Sequence, residues 1–494
     1  MRSDRYKDTK EEVSRGERYR TEKELAEKKA AEKELAEKER AEAIAAKKAE
    51  KEAAKEAAKA AKAEADTKAP ADTAAQDNAP QSSSAPSRPH KKKSYKKLIR
   101  ILLAILVLVI AIVGFAAYSY KTAEDSLAVT FTEEAPEVEF GSEHKAMDFV
   151  KESEGVVTTK DELLDTETAG QHEVVYTATK SLFGNLLNPT KDFTLTYNVI
   201  DKVEPLVLWS GDGTVLEKGS EFDINEIIAY GDNADPKPAV DVEGKVDMKK
   251  NGDYPLHVTV TDSSGNKTDW DLTVTVADNV PQYTDDSART KFGDFVSKYN
   301  KTGKAFGIDV STWQGDIDFE KVKAAGCDFV IIRAGYSVDG VVEEDGKFDQ
   351  NYKNAKAAGL EIGLYLYSYD NTEQEVRTAA DWIITKLGGE AIGLPVAFDW
   401  EDFGSFQSYE MNFRTLNKLY DAFADELAGG GYDCMLYGSK NYLEKVWDKT
   451  DTRPVWLAHY TDETDYEGPY NYWQASCTGR IDGIDGDVDM NVRY

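Results

Sequence analysis

The twenty residues Ile101–Tyr120 (ILLAILVLVIAIVGFAAYSY) carry no charge. A helix of this length, rising about 1.5 Å per residue, spans roughly 30 Å, the thickness of a bilayer's hydrocarbon core. A single transmembrane helix is therefore expected, and it divides the chain. Lys91, Lys92, Lys93, Lys96, Lys97 and Arg100 precede it, whereas only Lys121 follows before Glu124 and Asp125. The positive-inside bias places the amino terminus in the cytoplasm and the carboxy-terminal part outside the cell membrane. A cleavable signal peptide is the competing reading, although its charged region would not normally follow about 90 residues of preceding chain.

The two sides differ in charge. The first 100 residues hold 27 Lys+Arg and 20 Asp+Glu; since the totals are 61 and 91, positions beyond 100 hold 34 and 71. So acidic a body argues against a nucleic-acid partner, because phosphate neutralisation needs Lys and Arg. Residues 1–100 read as a cytoplasmic tail, helical and disordered in turn. From Thr21 to Ala65 the tail is almost entirely Ala, Glu and Lys, and the pairs Glu24–Lys28 and Glu34–Lys38 have the order that supports a solvated helix. Its EKELAEK stretch begins at Glu22 and again at Glu32 without a sustained apolar seam, which disfavours a coiled coil. Asp66 to Pro89, rich in Pro, Ser and Ala, reads as a disordered linker. Any cytoplasmic partner of the tail is unknown from sequence.

Outside, residues 121–202 and 203–280 are expected to form two β-sandwich-like domains. His172–Ala178 and Phe193–Val199 alternate with period two, as do Tyr254–Val260 and Asp271–Val276. Asp262-Ser263-Ser264-Gly265-Asn266 supplies turn chemistry to the second pair. The segment GDYPLHVTVTDSSGN resembles bacterial surface immunoglobulin-like repeats, modules that most often act as stalks. A linker is expected at 281–303.

Residues 304–494 alternate short apolar strands with helical stretches. The strands include Phe306–Val310, Phe329–Arg333, Ile362–Tyr367, Leu394–Asp399, Met435–Tyr437, Val455–Ala458 and Tyr472–Gln474, and Thr372 with Glu375 forms a capping-box signature. This pattern predicts a parallel sheet covered by helices, closed as an irregular TIM-like (β/α) barrel. Chemistry in such barrels sits where strands end. That rule selects Asp309, Arg333, Tyr367, Asp399, Glu401, Tyr437, Tyr460 and Gln474: carboxylates and aromatics, the groups that glycoside hydrolysis uses. Asp399 and Glu401 flank Trp400 and can project from one face of a strand end, where mutual repulsion would raise one of their pKa values. No Ser/His/Asp triad, phosphate loop, zinc spacing or cofactor motif is present. Neither metal nor cofactor is expected, and Cys327, Cys434 and Cys477 read as buried apolar thiols, with one disulfide and a leftover thiol as the open alternative.

GIDVSTWQG (Gly307–Gly315), PVAFDWE (Pro395–Glu401), VWLAHY (Val455–Tyr460) and WQASCTGRIDGIDGDVDMN (Trp473–Asn491) together resemble glycoside hydrolase family 25 lysozymes. The resemblance covers about Phe306 to Tyr494. It implies an irregular β/α barrel that hydrolyses the β-1,4 bond from N-acetylmuramic acid to N-acetylglucosamine in peptidoglycan glycan strands. It further implies Glu401 as general acid and Asp399 as the residue that orients or polarises the substrate's 2-acetamido group. Asp309 and Asp489 are then the first-strand and last-strand carboxylates of the site. Arg333, Tyr367, Tyr437, Trp456, Tyr460 and Gln474 are candidate substrate-binding residues, with core packing as the alternative for the aromatics and Gln474, and retention of an acidic site residue as the alternative for Arg333. A non-catalytic peptidoglycan-binding surface protein and an enzyme on another N-acetylated glycan such as chitin stay open. So does the retaining or inverting outcome.

Overall fold

The structure, a computed structural model, describes residues 96–281, 288–300 and 303–494. The expected tail helix and disordered linker, and parts of the expected 281–303 linker, lie outside these residues. The described chain divides after Val199 into two compact units.

In the first unit, α1 (Lys96–Asp125) extends the apolar run at both ends into one 30-residue helix, long and apolar enough to cross a membrane. Six strands follow: β1 (Ala128–Phe131), β2 (Glu137–Glu139), β3 (Val150–Glu154), β4 (Val156–Val157), β5 (Gly170–Thr179) and β6 (Thr190–Ile200). β1 pairs with β3, and the other four form a sheet in the order β2-β6-β5-β4. The two period-two segments of the sequence lie in β5 and β6, paired antiparallel from Gly170↔Val199 to Thr179↔Thr190. Their inward residues Tyr176, Leu195, Tyr197 and Val199 form the core with Val138 and Phe149.

The second unit opens with β7 (Leu206–Trp209), β8 (Val215–Glu217), β9 (Ala229–Gly231), β10 (Ala239–Glu243), β11 (Gly252–Thr261) and β12 (Lys267–Ala277). The long hairpin β11–β12 turns through Asp262–Asn266, where Asp262 N–H donates to the Asn266 carbonyl at 3.1 Å and Gly265 N–H to the Asp262 carbonyl at 3.2 Å. The sheet β10-β11-β12-β8 faces the short pair β7–β9 over Ile228, Tyr230, Leu256, Val258, Val260 and Val274.

The rest of the unit is a sheet built from β13 (Thr290–Lys291), β14 (Ala305–Val310), β15 (Phe329–Val338), β16 (Val341–Glu344), β17 (Glu361–Ser368), β18 (Val396–Asp399), β19 (Cys434–Ser439), β20 (Val455–Ala458), β21 (Tyr472–Arg480) and β22 (Val488–Arg493). β14, β15, β17, β18, β19, β20 and β21 run parallel in that order. β22 closes the ring by pairing antiparallel with both β21 and β14. The closure is thus a β-barrel with one reversed strand. The chain between strands forms α2 (Phe292–Tyr299), α3 (Phe319–Ala324), α4 (Phe348–Ala357), α5 (Glu373–Leu387), α6 (Phe413–Gly429) and α7 (Lys440–Lys445). α5 begins at the expected capping box: Glu375 N–H donates to Thr372 Oγ1 at 3.3 Å, and Thr372 N–H donates back to the Glu375 carboxylate at 3.1 Å. Asn412 caps α6, accepting from Thr415 N–H at 2.8 Å.

Strand alternation sorts the side chains. Phe306, Ile308, Val330, Ile332, Leu364, Val396, Phe398 and Leu436 join the apolar layer under the helices. Their neighbours Ile331, Tyr365, Ala397, Met435, Tyr437 and Trp456 fill the barrel interior. The interior is tight: a Cβ on Gly307 would lie 2.4 Å from the Phe329 ring, so only glycine fits there.

The β7–β9 pair packs directly on the segment that follows β18. A Cβ on Gly231 would lie 2.6 Å from the Phe406 ring and 2.7 Å from that of Phe413. Phe413 N–H donates to the Asp232 carbonyl at 2.8 Å, Asn412 Nδ2 to the Ala234 carbonyl at 2.7 Å and Gln407 Nε2 to the Ile228 carbonyl at 3.1 Å. Leu208 and Ala229 belong to the same apolar cluster as Trp400, Phe403 and Phe406.

Candidate active site

Asp309 and Asp489 are register partners on β14 and β22. Since Ile308, Val310, Val488 and Met490 pack outward, both carboxylates point to the interior. Neither residue is a cap or a turn: Ser311 caps the 3₁₀ turn after β14, and Asp489 lies within a strand. Asp309 is 3% exposed, and its Oδ2 accepts from Gln474 Nε2 at 2.9 Å and from Asn491 Nδ2 at 2.7 Å.

Those two amides are themselves held. Trp456 Nε1, which can only donate, gives its proton to Asn491 Oδ1 at 2.8 Å, which turns the Asn491 amino group toward Asp309. Gln474 Oε1 accepts from the phenols of Tyr437 at 2.9 Å and Tyr460 at 2.8 Å, so its amino group is likewise committed. One chain of donors therefore runs from three aromatic side chains through two amides to a single carboxylate oxygen.

Across the barrel, Asp399 ends β18 level with Tyr367 on β17 and Tyr437 on β19. Tyr437 thus links the Asp399 side to the Asp309 side. Asp399 is 1% exposed, whereas Glu401, two residues past it and beyond the strand, is half-buried. Trp400 between them is fully buried and packs edge-on against Phe403, Phe406 and Tyr409. Its Nε1 donates to the Asp370 carbonyl at 3.1 Å, which anchors the strand end to the preceding strand's loop. Burial holds the Tyr367 phenol well above its ordinary value, and the charges of Tyr369, Glu401, Asp399 and Asp402 add to the shift. A neutral phenol thus stands level with Asp399 at the strand ends. Nearby, burial raises the Asp370 carboxyl to about 6 against the lowering effect of Ser337, Gly340 and Ser368 donors.

Two sequence expectations need correction. Trp456 is 1% exposed, and its indole is spent on Asn491, so it offers no open face to a sugar and belongs to the barrel floor. Arg333 is also 1% exposed, and its Nε donates to Asp345 Oδ2 at 2.8 Å. The expected strand stopped at Arg333, but β15 continues to Val338, which leaves Arg333 deep inside rather than at the rim. It holds an acidic residue, but Asp345, outside the expected set. Tyr367, Tyr437 and Gln474 are enclosed as well, whereas Tyr460 keeps partial exposure.

The expected set omitted Asn491, Asp345 and Trp313. Asn491 lies two residues from Asp489 on one strand face, a spacing that could have flagged it. Asp345 accepts from Thr312 N–H at 2.9 Å and from Lys347 N–H at 2.9 Å, fixing the turn that displays Trp313, which is 53% exposed just past the end of β14. An aromatic directly after the first strand's carboxylate was the available signal. A cavity of about 480 Å³ lined by Tyr420, Trp447, Asp451 and Arg453 lies beside α6 and α7 and holds none of the four carboxylates. The three cysteines form no disulfide, and burial pushes the Cys327 thiol up to about 12, which makes it inert.

Residues 308–484 match the family model for glycosyl hydrolases family 25, and residues 208–276 that for the bacterial surface protein Ig-like domain. Lysozyme M1 of Streptomyces globisporus is 31% identical over 198 residues, 37% of this chain and 66% of that protein. The autolytic lysozyme of Clostridium acetobutylicum is 30% identical over 188 residues, 37% of this chain and 54% of that protein. The chain therefore spans under two thirds of the length of both relatives. Among solved structures, the bacterial lysozyme from Streptomyces coelicolor aligns with 26% identity and a TM-score of 0.32, over 39% of this chain and 92% of that one.

Proposed function

We propose that the family-25 glycosyl hydrolase domain carried by this chain hydrolyses peptidoglycan, cutting the β-1,4 bond between N-acetylmuramic acid and N-acetylglucosamine. The observation that carries the reading is the donor chain converging on Asp309, which ties the Asp309–Asp489 pair to the strand end bearing Asp399 and Glu401. In this reading the closed sheet is an irregular TIM-like barrel, with its chemistry at the carboxyl ends of the parallel strands.

Glu401, past the strand end and partly open to solvent, is the proton donor to the leaving oxygen. Asp399, deeper and fixed by β18, orients and polarises the 2-acetamido group, whose oxygen can then attack the anomeric carbon as the glycosidic bond breaks. Asp309 and Asp489 hold the sugar from the opposite wall, and the partly exposed ring of Tyr460 flanks it. Water, giving a proton back to the Glu401 carboxylate, then opens the cyclised sugar by attack on the anomeric carbon from the opposite face, so the two displacements retain configuration, and proton NMR of the first-formed anomer tests it. α1 holds the enzyme at the cell membrane with its amino terminus inside, and the β domains at 121–202 and 203–280 carry the catalytic domain, 304–494, toward the wall.

The test is release of reducing ends from purified peptidoglycan by the full chain in detergent. Glu401→Gln should lower the rate by about 10²–10⁴-fold, the usual contribution of general acid catalysis, with the thermal midpoint preserved. Binding without turnover by the unaltered protein would refute the reading and favour a wall-binding protein.

A further inference from the structure

Three carboxylates outside the catalytic domain lie together. Asp201 follows β6, Asp232 follows β9 and Asp262 follows β11, and each offers an oxygen within 4.8 Å of the other two. All are buried, at 6%, 0% and 5% exposure. Gathering three like charges out of water is strongly unfavourable unless something neutralises them. Among the described residues no ion pair reaches any of the three.

Their hydrogen bonds leave defined vacancies in acceptor capacity. Asp201 Oδ1 accepts from Val203 N–H at 3.2 Å and Asn233 Nδ2 at 2.9 Å. Asp232 Oδ1 accepts from Ala234 N–H at 2.8 Å and Asp235 N–H at 2.7 Å. Asn266 donates to Asp262 twice, N–H to Oδ1 and Nδ2 to Oδ2, each at 2.8 Å. These donors fix the rotamers. Yet Asp201 Oδ2 and Asp232 Oδ2 are buried without a hydrogen-bond partner, and so is Asn233 Oδ1, on the amide whose Nδ2 contacts Asp201. A fully buried carboxylate with an idle oxygen beside two others is what a hard cation would satisfy.

We propose that Asp201, Asp232 and Asp262, with Asn233 Oδ1, bind a calcium ion. The donors are all oxygen, which excludes the softer metals, and Ca²⁺ takes carboxylates and amide carbonyls at 2.3–2.6 Å. Ligands on opposite sides of such an ion are about 4.8 Å apart, so the three carboxylates fit within one coordination sphere. The ion would sit one residue from the docking seam: the Asp232 backbone carbonyl accepts from Phe413 N–H, at the start of α6. Calcium thereby stiffens the β-rich domain where it supports the segment after Glu401.

The experiment uses the full chain in detergent, stripped with EDTA and titrated calorimetrically with CaCl₂, alongside thermal unfolding with and without the ion. One saturable site is expected, and at about a hundredfold excess over Kd the transition of the 200–494 unit should rise by roughly 5–10 °C. Asp232→Asn and Asp262→Asn should each abolish that rise. Stripped of metal, Asp232→Asn should be at least as stable as the stripped parent, because one repelling charge is gone and its Oδ1 keeps both backbone donors, whereas Asp262→Asn also forfeits one of the two Asn266 hydrogen bonds. That comparison separates lost binding from lost folding. Absence of heat and shift in the unaltered protein would overturn the proposal, as would an equal shift in Asp232→Asn. An equal response to MgCl₂ would overturn the assignment to calcium.

Discussion

Gln474→Glu tests the donor chain at its centre. Gln474 is fully buried, and its Nε2 sits 2.9 Å from Asp309 Oδ2. The substitution keeps the shape and the acceptor for Tyr437 and Tyr460, but it replaces the donor with a carboxyl oxygen. Two ionised carboxylates at that separation would repel by about 6 kcal/mol at an effective dielectric of about 20. Taking up one proton is easier. For a carboxyl of ordinary pKa near 4.3, staying protonated in the folded state at pH 7 costs about 4 kcal/mol, and at pH 5 about 1 kcal/mol. The sign is definite: the folded variant binds one proton more than the unfolded chain, so its stability falls as pH rises above about 4.3. For a domain of this size the barrel transition should drop by roughly 8–16 °C at pH 7 but by only about 2–4 °C at pH 5, relative to the parent at the same pH. Differential scanning calorimetry at the two pH values measures it. An equal drop at both would refute the reasoning, since the deficit would then be packing and not a forced proton.

Arg333→Ala should destabilise the barrel by about 3–5 kcal/mol, because it strands the buried Asp345 carboxylate; removing both partners should recover part of the loss in a calorimetric double-mutant cycle. Asp370→Asn should raise the thermal midpoint at pH 7 and leave it nearly unchanged at pH 4: the Asp370 pKa, raised to about 6, means its contribution is present in acid and lost as pH climbs toward 6. Trp313→Ala, at a 53% exposed position, should move the midpoint by no more than about 2 °C yet weaken retention on insoluble peptidoglycan several-fold, as measured by pull-down. Unchanged retention would remove Trp313 from the glycan path.

What could be read from the sequence follows from the length of each signal. β5, β6, β11 and β12 are long hairpin strands of 10 or 11 residues, and their alternation was plain. β7, β8 and β9 have 3 or 4 residues, too few to show a period, so the docking surface that β7 and β9 make escaped notice. Alternation also tells which way a side chain points but not how deep it lies. Asp399 ends its strand, whereas Trp456 stands two residues below the end of β20, with Ala458 level with Gln474. Arg333 was misplaced by an irregularity: the register shift between Arg333 and Gly335 lets β15 run five residues further than its apolar core suggests. Asp345 lay in Glu343-Glu344-Asp345-Gly346, which has the composition of a solvated turn and gave no hint of a buried partner.

The seam between β7–β9 and the 403–413 segment has a consequence for how such proteins can be rearranged. Phe406 and Phe413 share their packing with Gly231, and the cap of α6 is completed by carbonyls from the preceding domain. Cutting the chain before residue 290 would bare those rings to water, close to the residues proposed for catalysis. Recombination that exchanges the adjoining β-rich segment or the barrel alone is therefore expected to yield poorly soluble hybrids unless both sides of the aromatic seam travel as a pair.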